Sequence, residues 1–230
     1  IIADTDIKMT IVTSIGELLC TVKGSITDFV VRKIKKKVPP FNIDNTVTVK
    51  EAIKAGRKFK ISTFESGPDS VNIHQYTGGT TGVAKGAMLT NRNLVANMLQ
   101  IRSIMMPFLK EKEEVVLSPL PMYHIFAFAV NFLALLSVGS HNVLITNSRD
   151  LKSVIKEFKK YPITLMTGVN TLFNELLNHK EFSKIDFSPL KITVGGGMAV
   201  QRKVAEKWEQ TTGCALSEGF GMTECSPVAS

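Results

Sequence analysis

Tyr76-Thr77-Gly78-Gly79-Thr80-Thr81-Gly82-Val83-Ala84-Lys85-Gly86 crowds glycines, threonine hydroxyls and one lysine into a single short loop. Glycine lets a backbone bend freely and come close to a ligand. Successive N–H groups, hydroxyls and an ammonium together form a cradle for phosphate oxygens. The order is not that of a Walker loop, which needs Gly-Lys followed by Ser or Thr and then a helix. Here Lys85 precedes Gly86, and the chain runs through Ala87-Met88-Leu89 to a helix start at Thr90. The loop therefore predicts a nucleotide triphosphate site built on another plan.

From Ile73 onward, short apolar runs alternate with helix-length segments. The strand candidates are His74–Thr77, Val115–Ser118, Val143–Thr146, Ile163–Thr167, Ile192–Gly195 and Ala215–Glu218. Helical stretches are read near Asn91–Met105, Phe126–Val138, Leu151–Tyr161, Asn170–His179 and Gln201–Thr212. This alternation predicts an α/β fold, a mostly parallel sheet flanked by helices on both faces. Ligands of such sheets bind beyond the carboxyl ends of the strands, where the glycine-rich stretches fall. Upstream, Met9 to Ser14 reads as a strand, and Ser25 as the N-cap of a helix that reaches Val38 before Pro39-Pro40. Residues 41–70 are polar and turn-rich with no strong period. The division expected is 1–72, a partial segment with a basic helix and a linker, and 73–230, an ATP-binding α/β subdomain.

The chain has 230 residues, a net charge of +8 and three cysteines. Cys20, Cys214 and Cys225 are widely spaced and odd in number, which points to reduced thiols in a cytoplasmic protein. The apolar run Ile125–Val138 is interrupted by Asn131 and is shorter than a membrane span, so a buried helix is expected. Part of the charge is local: Arg32, Lys33, Lys35, Lys36 and Lys37 cluster. They lie opposite Ile26, Phe29, Val30, Ile34 and Val38 on an amphipathic segment. That pattern fits a helix docked on a core by its apolar face, or a peripheral membrane contact through residues 26–38. No nucleic-acid partner is expected, since neither interleaved aromatics nor a known motif accompanies the charge. Gly195-Gly196-Gly197 could open a dinucleotide-binding turn, but Val200 stands where that turn needs glycine or alanine.

The loop resembles the phosphate-binding signature of the adenylate-forming (AMP-binding) enzymes, and the chain is most similar to their bacterial long-chain fatty-acid–CoA ligases. Pro119-Leu-Pro-Met-Tyr-His-Ile-Phe126, Thr167-Gly-Val-Asn-Thr-Leu-Phe173, Gly195-Gly-Gly-Met198 and Glu218-Gly-Phe-Gly-Met-Thr-Glu224 carry the same resemblance in the same order. Ala84 stands where proline is commoner in the family, and the bacterial long-chain ligases share that alanine. The resemblance implies the fold of an acyl-CoA synthetase N-terminal domain. It implies that Thr77, Gly78, Gly79, Thr80, Thr81, Gly82 and Lys85 cradle phosphates, and that Gly195, Gly196 and Gly197 wall the adenine. Phe220, beside Gly221, would stack on that base. Thr223 would contact phosphate, Glu224 would hold Mg2+, and His124 would position the carboxylate being activated. Read from the residues alone, Glu224 also fits a solvated surface carboxylate and His124 a satisfied core side chain. Phe126, Phe128 and Phe132 fit an acyl channel or plain packing.

The implied reaction consumes a long-chain fatty acid, ATP and CoA. It passes through an acyl-adenylate with release of pyrophosphate. In the family, a ribose-holding aspartate and a C-terminal domain with a catalytic lysine follow the Thr-Glu motif. The chain is therefore expected to be an internal fragment with little ligase activity alone. Two other readings stay open: adenylation of an aryl or amino acid, and a non-catalytic nucleotide- or lipid-binding module.

Overall fold

The structure, a computed structural model, describes residues 4–78 and 84–230. The chain divides into two compact units, Ile1–Glu65 and Ser66–Ser230. In the first unit, β1 (Thr10–Val12) pairs in parallel with β2 (Thr46–Thr48). Helix α1 (Thr21–Phe29) continues into a π-helical turn, Val30–Ile34. Ser25 does not cap it. The helix begins one turn earlier, and the Ser25 hydroxyl donates to the Thr21 carbonyl from inside the helix. Residues 46–56 are more ordered than the sequence reading allowed, because Thr48-x-x-Glu51 forms a reciprocal capping box at the start of α2 (Val49–Gly56).

The way α1 docks also departs from expectation. Gly16 and Gly24 approach so closely that a Cβ on Gly24 would sit 2.3 Å from the Gly16 carbonyl oxygen. Asp28 accepts hydrogen bonds from the Ser14 hydroxyl at 2.6 Å and the Gly16 N–H at 2.9 Å, which hold its carboxyl below the usual carboxylate range. The Gly24–Asp28 face is thus the docked one, while Val22, Ile26, Phe29 and Ile34 stay exposed.

In the second unit, residues 66–72 meet the start of the long helix: Pro68 and Ser70 carbonyls accept from the Arg92 and Asn91 N–H groups. β3 (Val71–Thr77) and β4 (Lys85–Thr90) form an antiparallel hairpin of their own. So His74–Thr77 is a strand but not part of the parallel sheet. The chain between Thr77 and Lys85 is too short for the crossover that a parallel neighbour needs. Thr90 then caps α3 (Asn91–Met105) through Asn93.

The parallel sheet has the order β6-β5-β7-β8-β9. Its strands are β5 (Val115–Ser118), β6 (His141–Leu144), β7 (Leu165–Gly168), β8 (Ile192–Gly195) and β9 (Leu216–Glu218). Alternate residues serve opposite faces. Leu117 and Met166 join one core, with α5 (Leu151–Lys160), α6 (Asn170–Leu177) and α7 (Arg202–Thr212). Val116 and Leu165 join the other, with α3 and the helix after β5. That helix is a single α turn, α4 (Ile125–Ala127), followed by π geometry over Phe128–Leu135. Asn131, which broke the apolar run, is fully buried there. Its amide donates to the Ser118 and Thr167 hydroxyls, both at 2.9 Å. No helix among the described residues is long and apolar enough to cross a membrane.

At the opposite, amino edge of the sheet, the buried Glu114 side chain accepts from the Lys110 N–H and from the Lys191 ammonium, each at 2.7 Å. Burial pushes its carboxyl up, but Lys191, the Thr164 side chain and the Lys110 N–H together outweigh it and leave the group below its ordinary value. A carboxyl depressed on folding stabilises above the unfolded value and loses that contribution as pH falls through the folded one. Lys191→Met leaves the charge buried and unpaired, which costs about 3 kcal/mol at neutral pH. In the variant, burial is opposed only by the Thr164 side chain and the Lys110 N–H, so Glu114 takes up a proton at higher pH. Urea unfolding is expected to show the gap to the parent chain narrowing between about pH 7 and 5; a gap independent of pH would refute this account.

Candidate functional site

Three loops leave the carboxyl ends of β5, β8 and β9 and meet the end of β3 around one cavity of about 510 Å3. Its position is the one expected of an open α/β sheet whose strand order reverses beside β5. Ile101, Ile104 and Met105 of α3, with Ile125, Phe126 and Val130, supply much of its apolar lining. The rest is largely polar and rich in bare backbone: Thr77, Gly78, His124, Gly197 and the run Ser217–Glu224. The apolar lining can take a hydrocarbon, and the polar lining presents hydroxyls, N–H groups and carboxylates.

The run after β9 folds back on itself. Gly221 bridges Val228, the Phe220 N–H donates to the Ser230 carbonyl, and the Met222 N–H donates to the Pro227 carbonyl. Only glycine allows this, because a Cβ on residue 221 would lie 2.1 Å from the Pro227 carbonyl oxygen. The fold-back leaves the Phe220 ring 66% exposed at the cavity, a free aromatic face. It also turns the 3-10 segment Thr223–Cys225 so that Thr223 and Glu224 line the same space. Gly197 has a φ of 76°, which carries the backbone around the cavity edge after β8. Asn170 steadies that loop by accepting from the Gln201 N–H at 2.9 Å.

His124 has a double part. Its Nδ1 accepts from the Phe126 N–H at 3.3 Å, capping α4. A ring nitrogen that accepts carries no proton, so the neutral imidazole keeps its proton on Nε2 and offers a donor. It is not the satisfied core histidine of the alternative reading, for it is exposed and lines the cavity.

The structure thus gathers Thr77, Gly78, His124, Gly197, Phe220, Gly221, Thr223 and Glu224. Gly79, Thr80, Thr81 and Gly82 lie outside the described residues. Lys85 is exposed at the end of the hairpin next to its connecting loop, paired with Thr77, and does not line the cavity. Gly195 and Gly196 do not line it either. Both are buried: a Cβ would meet Val200 at 2.6 Å on Gly195 and Phe126 at 3.1 Å on Gly196, so they serve close packing. Of the three phenylalanines, Phe126 alone reaches the cavity, while Phe128 and Phe132 stack on each other at 5.5 Å. Ile101, Met105, Glu218 and Val228 were not foreseen. The first two share one α3 face at i, i+4, a signal present in the sequence; Val228 arrives only through the fold-back.

The AMP-binding enzyme profile matches residues 1–230. The chain belongs to the AMP-binding enzyme family. Within that family it is 46% identical over its whole length to the long-chain-fatty-acid–CoA ligase of Salmonella typhimurium, of which it spans 41%. Among solved structures it matches apo MatB from Rhodopseudomonas palustris with a TM-score of 0.63 and 26% identity, over 72% of this chain and 32% of MatB. The anthranilate CoA ligase AuaEII, solved with anthranoyl-AMP, shares the fold at a TM-score of 0.70 and 18% identity, over 87% of this chain and 40% of AuaEII.

Two carboxylates, Glu218 and Glu224, line the cavity together with Thr223, and no lysine or arginine among the described residues lines it. A phosphate chain placed there needs a cation against those carboxylates. The donors are hard oxygens, which suit Mg2+ held by one or two carboxylates plus water and phosphate. Gly221→Ala is expected to cost about 1–3 kcal/mol in urea unfolding, since the Pro227 backbone must move. Gly219→Ala meets only ordinary contacts at 3.6 and 3.8 Å, so its loss should be clearly smaller. Equal losses would contradict the close-approach argument.

Proposed function

We propose that this chain is the nucleotide- and acyl-binding part of an ATP- and Mg2+-dependent long-chain fatty-acid–CoA ligase, which converts fatty acid, ATP and CoA to acyl-CoA, AMP and pyrophosphate. One observation carries the reading: a single cavity is lined both by apolar side chains and by polar, glycine-rich loops, as an acyl-adenylate would require. The chain spans 41% of the similar Salmonella ligase, and the activity of the whole enzyme is part of the proposal.

In this reading Ile101, Met105 and Phe126 hold the hydrocarbon. His124 donates from Nε2 to the carboxylate and holds it toward the α-phosphate. Phe220 takes the adenine on its exposed face, and Thr223 donates to phosphate. Thr77, Gly78, Gly79, Thr80, Thr81, Gly82 and Lys85 would supply donors to the phosphate chain. Glu224, with Glu218 close by in sequence, would hold Mg2+, whose positive charge offsets repulsion between carboxylate and phosphates. Adenylation joins two anions, so donors fixed before the reaction count for more than donors that must move.

Calorimetric titration with palmitoyl-sulfamoyl-adenosine, a stable acyl-adenylate mimic, is expected to show one site. Phe220→Ala should weaken it about tenfold, the size of one lost stacking contact. Tighter binding of a benzoyl mimic than of the palmitoyl one would replace this reading with the aryl alternative. The sequence likeness favours the fatty acyl group.

A peripheral membrane contact belongs to the same proposal. Ile26, Phe29 and Ile34 are exposed beside Lys33, Lys35, Lys36 and Lys37, an apolar stripe edged with positive charge. Sedimentation with anionic phosphatidylglycerol vesicles should fall at least fivefold on charge reversal at Lys35, Lys36 and Lys37. Unchanged sedimentation would remove the contact.

A further inference from the structure

Asn97 lies on α3, outside every glycine-rich motif, and is 4% exposed. Its Nδ2 donates to the Val228 carbonyl at 2.7 Å, and its Oδ1 accepts from the Val228 N–H at 3.2 Å. The remaining Nδ2 hydrogen reaches the Gln100 side chain at 3.2 Å. One carboxamide thus takes both backbone groups of one residue, as a neighbouring strand would. Val228 in turn bridges Gly221, and the Pro227 carbonyl takes the Met222 N–H, immediately before Thr223 and Glu224. We propose that Asn97 is a positioning residue: it fixes the fold-back to α3 and thereby sets where Thr223 and Glu224 stand in the cavity.

The position of α3 gives this tie a second consequence. The helix starts at the Thr90 cap, directly after β4, so its first turn is joined to the hairpin that flanks the phosphate loop. One rigid helix of 15 residues thus bears the hairpin at its start and the acidic loop at its middle. The hydrogen bonds stand on the geometry alone, but the effect on nucleotide binding rests on the ligase reading.

The test compares the parent chain with Asn97→Leu, which keeps the branched shape and loses both hydrogen bonds to Val228, and with Gln100→Ala, which loses only the outer contact. Amide hydrogen exchange is measured without ligand. In Asn97→Leu the Phe220, Met222 and Val228 amides should exchange at least tenfold faster, with Met166 and Thr167 of β7 unchanged and Gln100→Ala like the parent. A loop no faster than in the parent, or an acceleration spread evenly over the sheet, overturns the proposal. Should Asn97→Leu fail to fold, Asn97→Ser, too short to reach both groups, carries the same comparison. In titrations, Asn97→Leu should bind Mg2+·ATP at least tenfold more weakly and palmitate within twofold of the parent. Parallel loss of both ligands, or of neither, also overturns it. A parent chain that binds neither ligand sinks the ligase reading, and the exchange data then decide the role of Asn97 by themselves.

Discussion

All five strands of the central sheet run in one direction, and a parallel strand delivers its following loop to the same rim as its neighbours. That constraint is what makes a site. The loops after β5, β8 and β9 come from residues far apart in the chain, yet the shared direction leaves them side by side. The buried Asn131 amide ties the tops of β5 and β7 to the helix above them through Ser118 and Thr167. Losing one of those partners would strand a buried polar group, so the rim is held by hydrogen bonds as well as by packing.

Packing and chemistry divide the glycines between them. Gly195 and Gly196 lie under the rim, where neighbouring side chains leave no room for a methyl group. Gly197 and Gly221 shape the cavity wall itself, one through a left-handed backbone and the other through contact with the Pro227 carbonyl. A glycine-rich motif is therefore not a uniform ligand-binding surface. Part of it is the foundation that lets another part approach a ligand.

Much of the architecture was legible beforehand because a strand buried on both faces reads as a continuous apolar run, and most such runs here coincide with strands. The hairpin was harder. Gln75 points inward and Tyr76 outward, so β3 lacks the clean alternation that would mark an antiparallel partner, and β4 reads as the tail of a loop. The first unit misled for another reason. The apolar stripe of α1 suggested a docked face, but the Gly16–Gly24 approach and the Asp28 hydrogen bonds choose a different side. A helical wheel ranks faces by hydrophobicity and is blind to a close backbone crossing.

By itself the sequence determined the strands and helices of the parallel sheet and, through its motifs, the family; the family resemblance then singled out Thr223, Glu224, Phe220 and His124. Motifs and apolar runs are local patterns, carried by neighbours along the chain. Only the tertiary structure decided which of those residues share a cavity. It set Lys85 apart from the described wall, put Gly195 and Gly196 beneath it, gave His124 the cap that fixes its tautomer, and brought Asn97 to Val228. Those outcomes depend on contacts between residues up to 131 positions apart. No local pattern encodes such a distance, because it is settled by how the sheet and its helices pack.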